Sequence, residues 1–110
     1  MELTESGRAT ADATGRAVAS VQALRAFEYW SVTRMTVENT SITNVPTCKV
    51  YRGSIAPTNL VDGTYTGTFD VSDLSNPITV QNGAALIAEW TGCDVGSQST
   101  FTVGGSRLKA

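Results

Sequence analysis

The stretch Asn82–Gly92, NGAALIAEWTG, decides the fold. Its Asn-Gly pair is the dipeptide a tight hairpin turn favours, because both residues tolerate positive φ. Behind the turn, Ala84, Leu86, Ala88 and Trp90 share one face of an extended segment, and Ala85 and Ile87 share the other. Apolar residues on both faces of so short a run mark a central strand. Gly92 ends it.

Toward the C-terminus, Gly92–Gly96 reads as a loop and Gln98–Val103 as a closing strand with Phe101 and Val103 inward. Gly104 and Gly105 loosen the chain before a short basic end at Arg107 and Lys109. In the other direction, Ile78–Val80 is a short strand and Ser72–Pro77 a turn. Thr64–Val71 alternates cleanly, with Tyr65, Phe69 and Val71 inward and Thr64, Thr66, Thr68 and Asp70 outward. Gly67 falls on the inward side, where it leaves room for a large neighbour such as Trp90. Gly53–Gly63 is a long connection whose Ile55, Leu60 and Val61 cover an open end of the sandwich. Pro46–Arg52 alternates Cys48 and Val50 inward with Lys49 and Tyr51 outward.

Phe27–Glu38 is the second anchor. Trp30 and Val32 share one parity and Met35 and Val37 the other, so a β-bulge belongs near Thr33 and Arg34. Trp30 and Trp90 are expected to meet in the middle of the core. Arg16–Leu24 fits both periods: Val18, Val21 and Leu24 at helical spacing, Ala17, Ala19, Val21 and Ala23 at strand spacing. The flanking sequence favours an edge strand over a short helix. Met1–Gly15 shows no sustained apolar period. It reads as an extended arm, with a disordered tail as the alternative.

About seven or eight short strands at regular spacing predict an all-β chain: one antiparallel β-sandwich, jelly-roll or immunoglobulin-like, over residues 16–110, with the arm over 1–15. The expected core anchors are Trp30, Val50, Phe69, Leu86, Trp90 and Phe101. A Thr- and Ser-rich composition with only 16% charged residues suits half-exposed sheets, because β-branched residues pack well on a pleated surface.

Chemistry is sparse in the sequence. The chain has no histidine, which removes the commonest general base and metal ligand. Asp62, Asp70, Asp73 and Asp94 lie in or beside loops, but their spacing matches no EF-hand, and turn aspartates ordinarily serve their own backbone. No cofactor is expected, and the chain reads as non-enzymatic. A net charge of -2 gives no reason to expect nucleic acid. No apolar run is long enough for a membrane span, and the polar first residues lack the apolar core of a signal peptide. The cytoplasm is therefore the expected site of synthesis, and Cys48 and Cys93 are expected as free, buried thiols. Asn39-Thr40-Ser41 matches an N-glycosylation acceptor, expected to be unused.

The segments YWSVTRMTV, KVYRGSIAPTNLVDGTYTGTFDVSD and NGAALIAEWTGCDVGSQSTFTVGGSR, in that order over Phe27–Arg107, resemble small virion-associated β-sandwich proteins of tailed actinobacterial phages. The resemblance implies a structural role in the particle: capsid decoration first, a minor tail or head-tail connector component second. Its partners would then be copies of itself and other virion proteins, such as the major capsid or tail protein. Met1, Leu3, Arg8, Val18 and Arg107 are the expected assembly contacts, on the sandwich surface and on an arm that could reach about 50 Å when extended. The competing class is a carbohydrate-binding module that holds a surface glycan on Tyr29, Tyr51 and Tyr65.

Overall fold

A computed structural model describes residues 2–22, 28–61, 63–81 and 83–109. Expectations resting on Met1, Ala23, Leu24, Phe27, Asp62 and Asn82, the turn asparagine among them, lie outside the described residues. The elements in chain order are β1 (Glu2–Thr10), β2 (Ala17–Gln22), β3 (Glu28–Asn39), β4 (Thr47–Arg52), a 3-10 turn (Pro57–Asn59), β5 (Tyr65–Thr66), β6 (Phe69–Val80), β7 (Ala85–Thr91) and β8 (Gln98–Lys109).

The eight strands form two antiparallel four-stranded sheets, ordered β1-β8-β3-β6 and β2-β7-β4-β5. The pairs β1–β8, β2–β7, β3–β6 and β4–β5 are nested, like the rungs of one long hairpin whose tip is β4–β5. Rolling that hairpin up brings β8 onto β3 and β7 onto β4, which completes both sheets. Of the two expected architectures this is the jelly roll. Each sheet buries one face: Leu3, Val32, Met35, Val37, Val80, Phe101 and Val103 from the first meet Ala17, Ala19, Val21, Cys48, Val50, Leu86, Ala88 and Trp90 from the second.

Residues 2–10 do not form an arm. β1 keeps a continuous register with β8 from Glu2↔Ser106 to Thr10↔Gln98, and Leu3 is a core residue. Its inward positions are Leu3, Glu5, Gly7, Ala9 and Ala11, mostly small residues that produce almost no apolar alternation. They are small for a reason. A Cβ on Gly7 would collide with the Ser20 carbonyl oxygen, so β1 and β2 close this flank backbone against backbone.

The bulge in β3 is present. Pairing with both β8 and β6 shifts between Val32 and Arg34, which keeps Trp30, Val32, Met35 and Val37 all buried. Opposite it, β8 runs straight through Gly104 and Gly105 to Lys109, so the expected loosening does not occur. Gly105 takes φ 154° and passes so close to the bulge that a Cβ would overlap Ser31 O. On the other side of the bulge, Leu74–Pro77 have no partner on β3: Val32 pairs with Ile78 and Arg34 with Asp73. The turn expected at Ser72–Pro77 is instead part of the long edge strand β6, unpaired from Leu74 to Pro77, with Leu74 packed against the core. Pro77, which cannot donate to a ladder, sits in that unpaired part.

Trp30 and Trp90 do not share the middle of the core. Trp30 lies in the row with Val80 and Arg107, whereas Trp90 lies in the row with Ala17 and Cys48. Each closes one end. Trp30 Nε1 donates to Glu28 Oε1 at 3.0 Å, and Trp90 Nε1 to Gly67 O at 3.1 Å. Gly67 does make room for Trp90: an added Cβ would stand 2.9 Å from Trp90 Cδ1.

Phe69, expected inward, is 60% exposed. The chain leaves the second sheet after Thr66 and enters the first at Phe69. A strict two-residue alternation does not survive that crossing, so Tyr65 points into the core and Phe69 away from it. The other five core anchors, Trp30, Val50, Leu86, Trp90 and Phe101, are all buried. Tyr51, expected outward, is buried as well, because Leu60 and Val61 turn back beside β4, with Tyr51 bridging Leu60 and Val61 N donating to Val50 O.

Candidate functional site

In a rolled hairpin, every second connection emerges at the same end. Here that end carries the loops 11–16, 40–46, 67–68 and 92–97, which join β1 to β2, β3 to β4, β5 to β6 and β7 to β8. Backbone hydrogen bonds tie them in two pairs, 11–16 with 92–97 and 40–46 with 67–68. Cys93 N donates to Gly15 O at 2.9 Å, Gly96 N to Ala11 O at 3.0 Å, Asn39 N to Thr68 O at 3.1 Å, and Gly67 N to Pro46 O at 2.8 Å.

Side chains complete the frame. The Asp94 carboxylate accepts from the backbone N–H groups of Ile42 at 2.8 Å, Thr43 at 3.0 Å and Asn44 at 2.9 Å. Asp94 N in turn donates to Ser41 Oγ at 2.8 Å. Asn39 is buried, and its amide donates to Ser97 Oγ at 3.1 Å and Ser99 Oγ at 2.8 Å. The glycosylation triplet is therefore sealed in the folded protein. Asp12 does for the first loop what Asp94 does for the second, accepting from Thr14 N, Thr14 Oγ1 and Arg16 N.

These bonds favour the ionised carboxylates. The Thr43 and Ile42 N–H groups hold Asp94 below the usual carboxylate range, and Thr14 with the Arg16 backbone does the same for Asp12. A folded-state pKa depressed in this way contributes stability above the unfolded carboxylate value of about 3.9 and loses it as pH falls toward the folded value. Asp94→Asn should therefore melt below the parent at pH 7, and the gap between the two should shrink as the pH is lowered from about 5 to about 3. Thermal melts at matched salt check this, and a gap that stays constant with pH counts against the carboxylate as the anchor.

On this frame stand apolar side chains that the fold does not use. Ile42 is 95% exposed, Val45 75% and Val95 69%, with Phe69 on the flank beside Glu38. Four of the large exposed hydrophobic residues thus gather at one end of the molecule. Phe69 reads along the chain as a core residue, and Ile42, Val45 and Val95 do not stand out in it. The one available signal was an aliphatic residue flanked on both sides by turn formers.

The expected assembly contacts are not brought together. Leu3 lies in the core, Arg8 is exposed on the outer face of the first sheet, and Val18 is half-buried on the outer face of the second. Arg107 points inward in the Trp30 row, where it ion-pairs with Glu5 and approaches Glu28 at 3.7 Å. Nor do the tyrosines form a platform: Tyr51 and Tyr65 are buried, and Tyr29 is half-buried on the other sheet.

Asp70 and Asp73 also serve the fold. Asp70 accepts from Thr66 N at 3.1 Å and from its neighbour Val71 N at 2.9 Å, and Asp73 faces Arg34 at 3.6 Å. Among the described residues, no three acidic or thiol groups are placed to hold a metal ion. Cys48 and Cys93 are buried and unbridged. Burial pushes both thiols up, with the nearby Cys93 adding to the effect at Cys48. No protein-family model matches the chain, and no curated protein does.

Proposed function

We propose that the chain is a structural, non-enzymatic component of a tailed-phage particle, of the capsid-decorating kind. The observation that carries this reading is the rigid apolar loop end. A jelly roll closed along one flank presents Ile42, Val45 and Val95 on a frame of backbone and carboxylate hydrogen bonds, which suits docking better than turnover. The motif order over Phe27–Arg107 supports the phage assignment, and the jelly roll is an architecture that capsid proteins use. The role expected of an N-terminal arm passes to the loop end, because β1 is built into the sheet.

The test is the protein inventory of gradient-purified particles from the phage whose genome encodes the chain. Decoration predicts the chain in copy numbers comparable to the major shell protein, and a minor tail position predicts a few copies per particle. Absence from the particles sinks the reading. A glycan-binding role has less support, because Tyr51 and Tyr65 have no exposed ring face to offer.

A further inference from the structure

We infer that the loop end carrying Ile42, Val45 and Val95 is the docking plug, and that its occupant is an apolar depression rimmed by cationic side chains on the particle's shell protein. This rests on the reading of the chain as a particle component and adds which surface binds and what it binds.

Three observations select that partner. First, the plug is preformed. Asp94 holds the 42–44 backbone with three hydrogen bonds, and Asn39, Ser41 and Ser97 hold the loop bases, so little conformational freedom remains to be lost on docking. Secondly, the plug is small. Its exposed aliphatic side chains amount to a few hundred Å2, the size of one hot-spot cluster, against the roughly 800 Å2 per partner that a standard interface between two copies uses. An exposed apolar cluster of this size fits a hollow on a larger body and is insufficient for a dimer.

Thirdly, the surrounding charge is negative. Asp12 and Asp94 stand at the plug. The one cation within the four loops, Arg16, is already paired with Glu89 at 2.8 Å, and further back Arg8 and Glu38 share one row of the first sheet through Thr100 and offset each other. An anionic rim around an apolar tip selects a cationic rim around an apolar hollow. The same acids disfavour an anionic lipid surface.

The experiment adds purified full-length protein back to particles assembled without it, comparing the parent with the triple variant Ile42→Ser, Val45→Ser, Val95→Ser. All three side chains are largely exposed, so the variant should keep the parent's melting temperature, and this is measured alongside. The expected result is binding weakened by about tenfold or more in the variant, with parent binding that declines as salt is raised. Equal binding of parent and variant to particles overturns the plug while leaving the particle role standing. Failure to find the chain on native particles overturns both. Two further outcomes overturn the named occupant: a parent that dimerises in sedimentation while the variant is monomeric, and a parent that partitions onto phosphatidylcholine vesicles as well as onto particles.

Discussion

Trp90→Ala is expected to lower the free energy of unfolding by about 3–5 kcal/mol, a large share of the roughly 5–15 kcal/mol that holds a domain folded. Trp90 is fully buried in the row with Ala17 and Cys48, and its indole N–H is committed to Gly67 O. Truncation loses the apolar contacts, opens a cavity, and leaves the Gly67 carbonyl without its donor. The cavity does not collapse easily, since Gly67 beside the ring has no side chain to fill it and its N–H is bonded to Pro46 O. Urea titration followed by far-ultraviolet circular dichroism measures the loss. A drop under about 1.5 kcal/mol would mean that this end of the core repacks.

The second large effect is at Gly105. Gly105→Ala places a methyl group into Ser31 O, in a backbone conformation that L-residues rarely adopt. Relief requires the β3 bulge to move, and the bulge is what keeps Trp30 and Val32 in phase with Met35 and Val37. The expected loss is about 3 kcal/mol or more. Gly104→Ala is the control, because its nearest neighbours, Leu3 O at 3.8 Å and Arg34 Cβ at 3.9 Å, leave ordinary van der Waals room. Equal stability of the two variants would show that the bulge is not locked to β8.

The all-β sandwich was readable because most of its strands carry strong alternation, and NGAALIAEWTG carries apolar residues on both faces. The bulge at Thr33 and Arg34 was readable too, since a change of parity inside one strand signals an extra residue. What failed has three physical causes. β1 is inward-facing through Gly7 and Ala9, where close strand approach requires small residues and so erases the pattern that announces a strand. Phe69 follows a crossing between sheets, where counting by twos stops working. Trp30 and Trp90 are far apart because large apolar side chains plug the ends of a jelly roll as well as its middle, and sequence carries no distance between them.

The candidate site was the least legible part. Ile42 and Val95 gain their meaning only when two loops far apart in the chain are bonded through Asp94. The charge assigned to partner contact at Arg107 is instead spent inside, beside Trp30. Sequence shows which residues are apolar; the topology shows which of them the core leaves over.

The nested pairing has a consequence for how the chain is made. Glu2 pairs with Ser106, so the first of these strands to leave the ribosome has no sheet neighbour until the last arrives. The β4–β5 tip closes locally, and each following strand then zips outward onto one synthesised progressively earlier. Loop closure grows more demanding at every step, which places this chain among the slow folders, on roughly the millisecond-to-second scale, with its outermost strands joining last. Until β8 emerges, β1 and β3 present unpaired edges to their surroundings. Asp70, whose carboxylate covers the Val71 N–H of the outer strand β6, guards an edge that stays open after folding is complete.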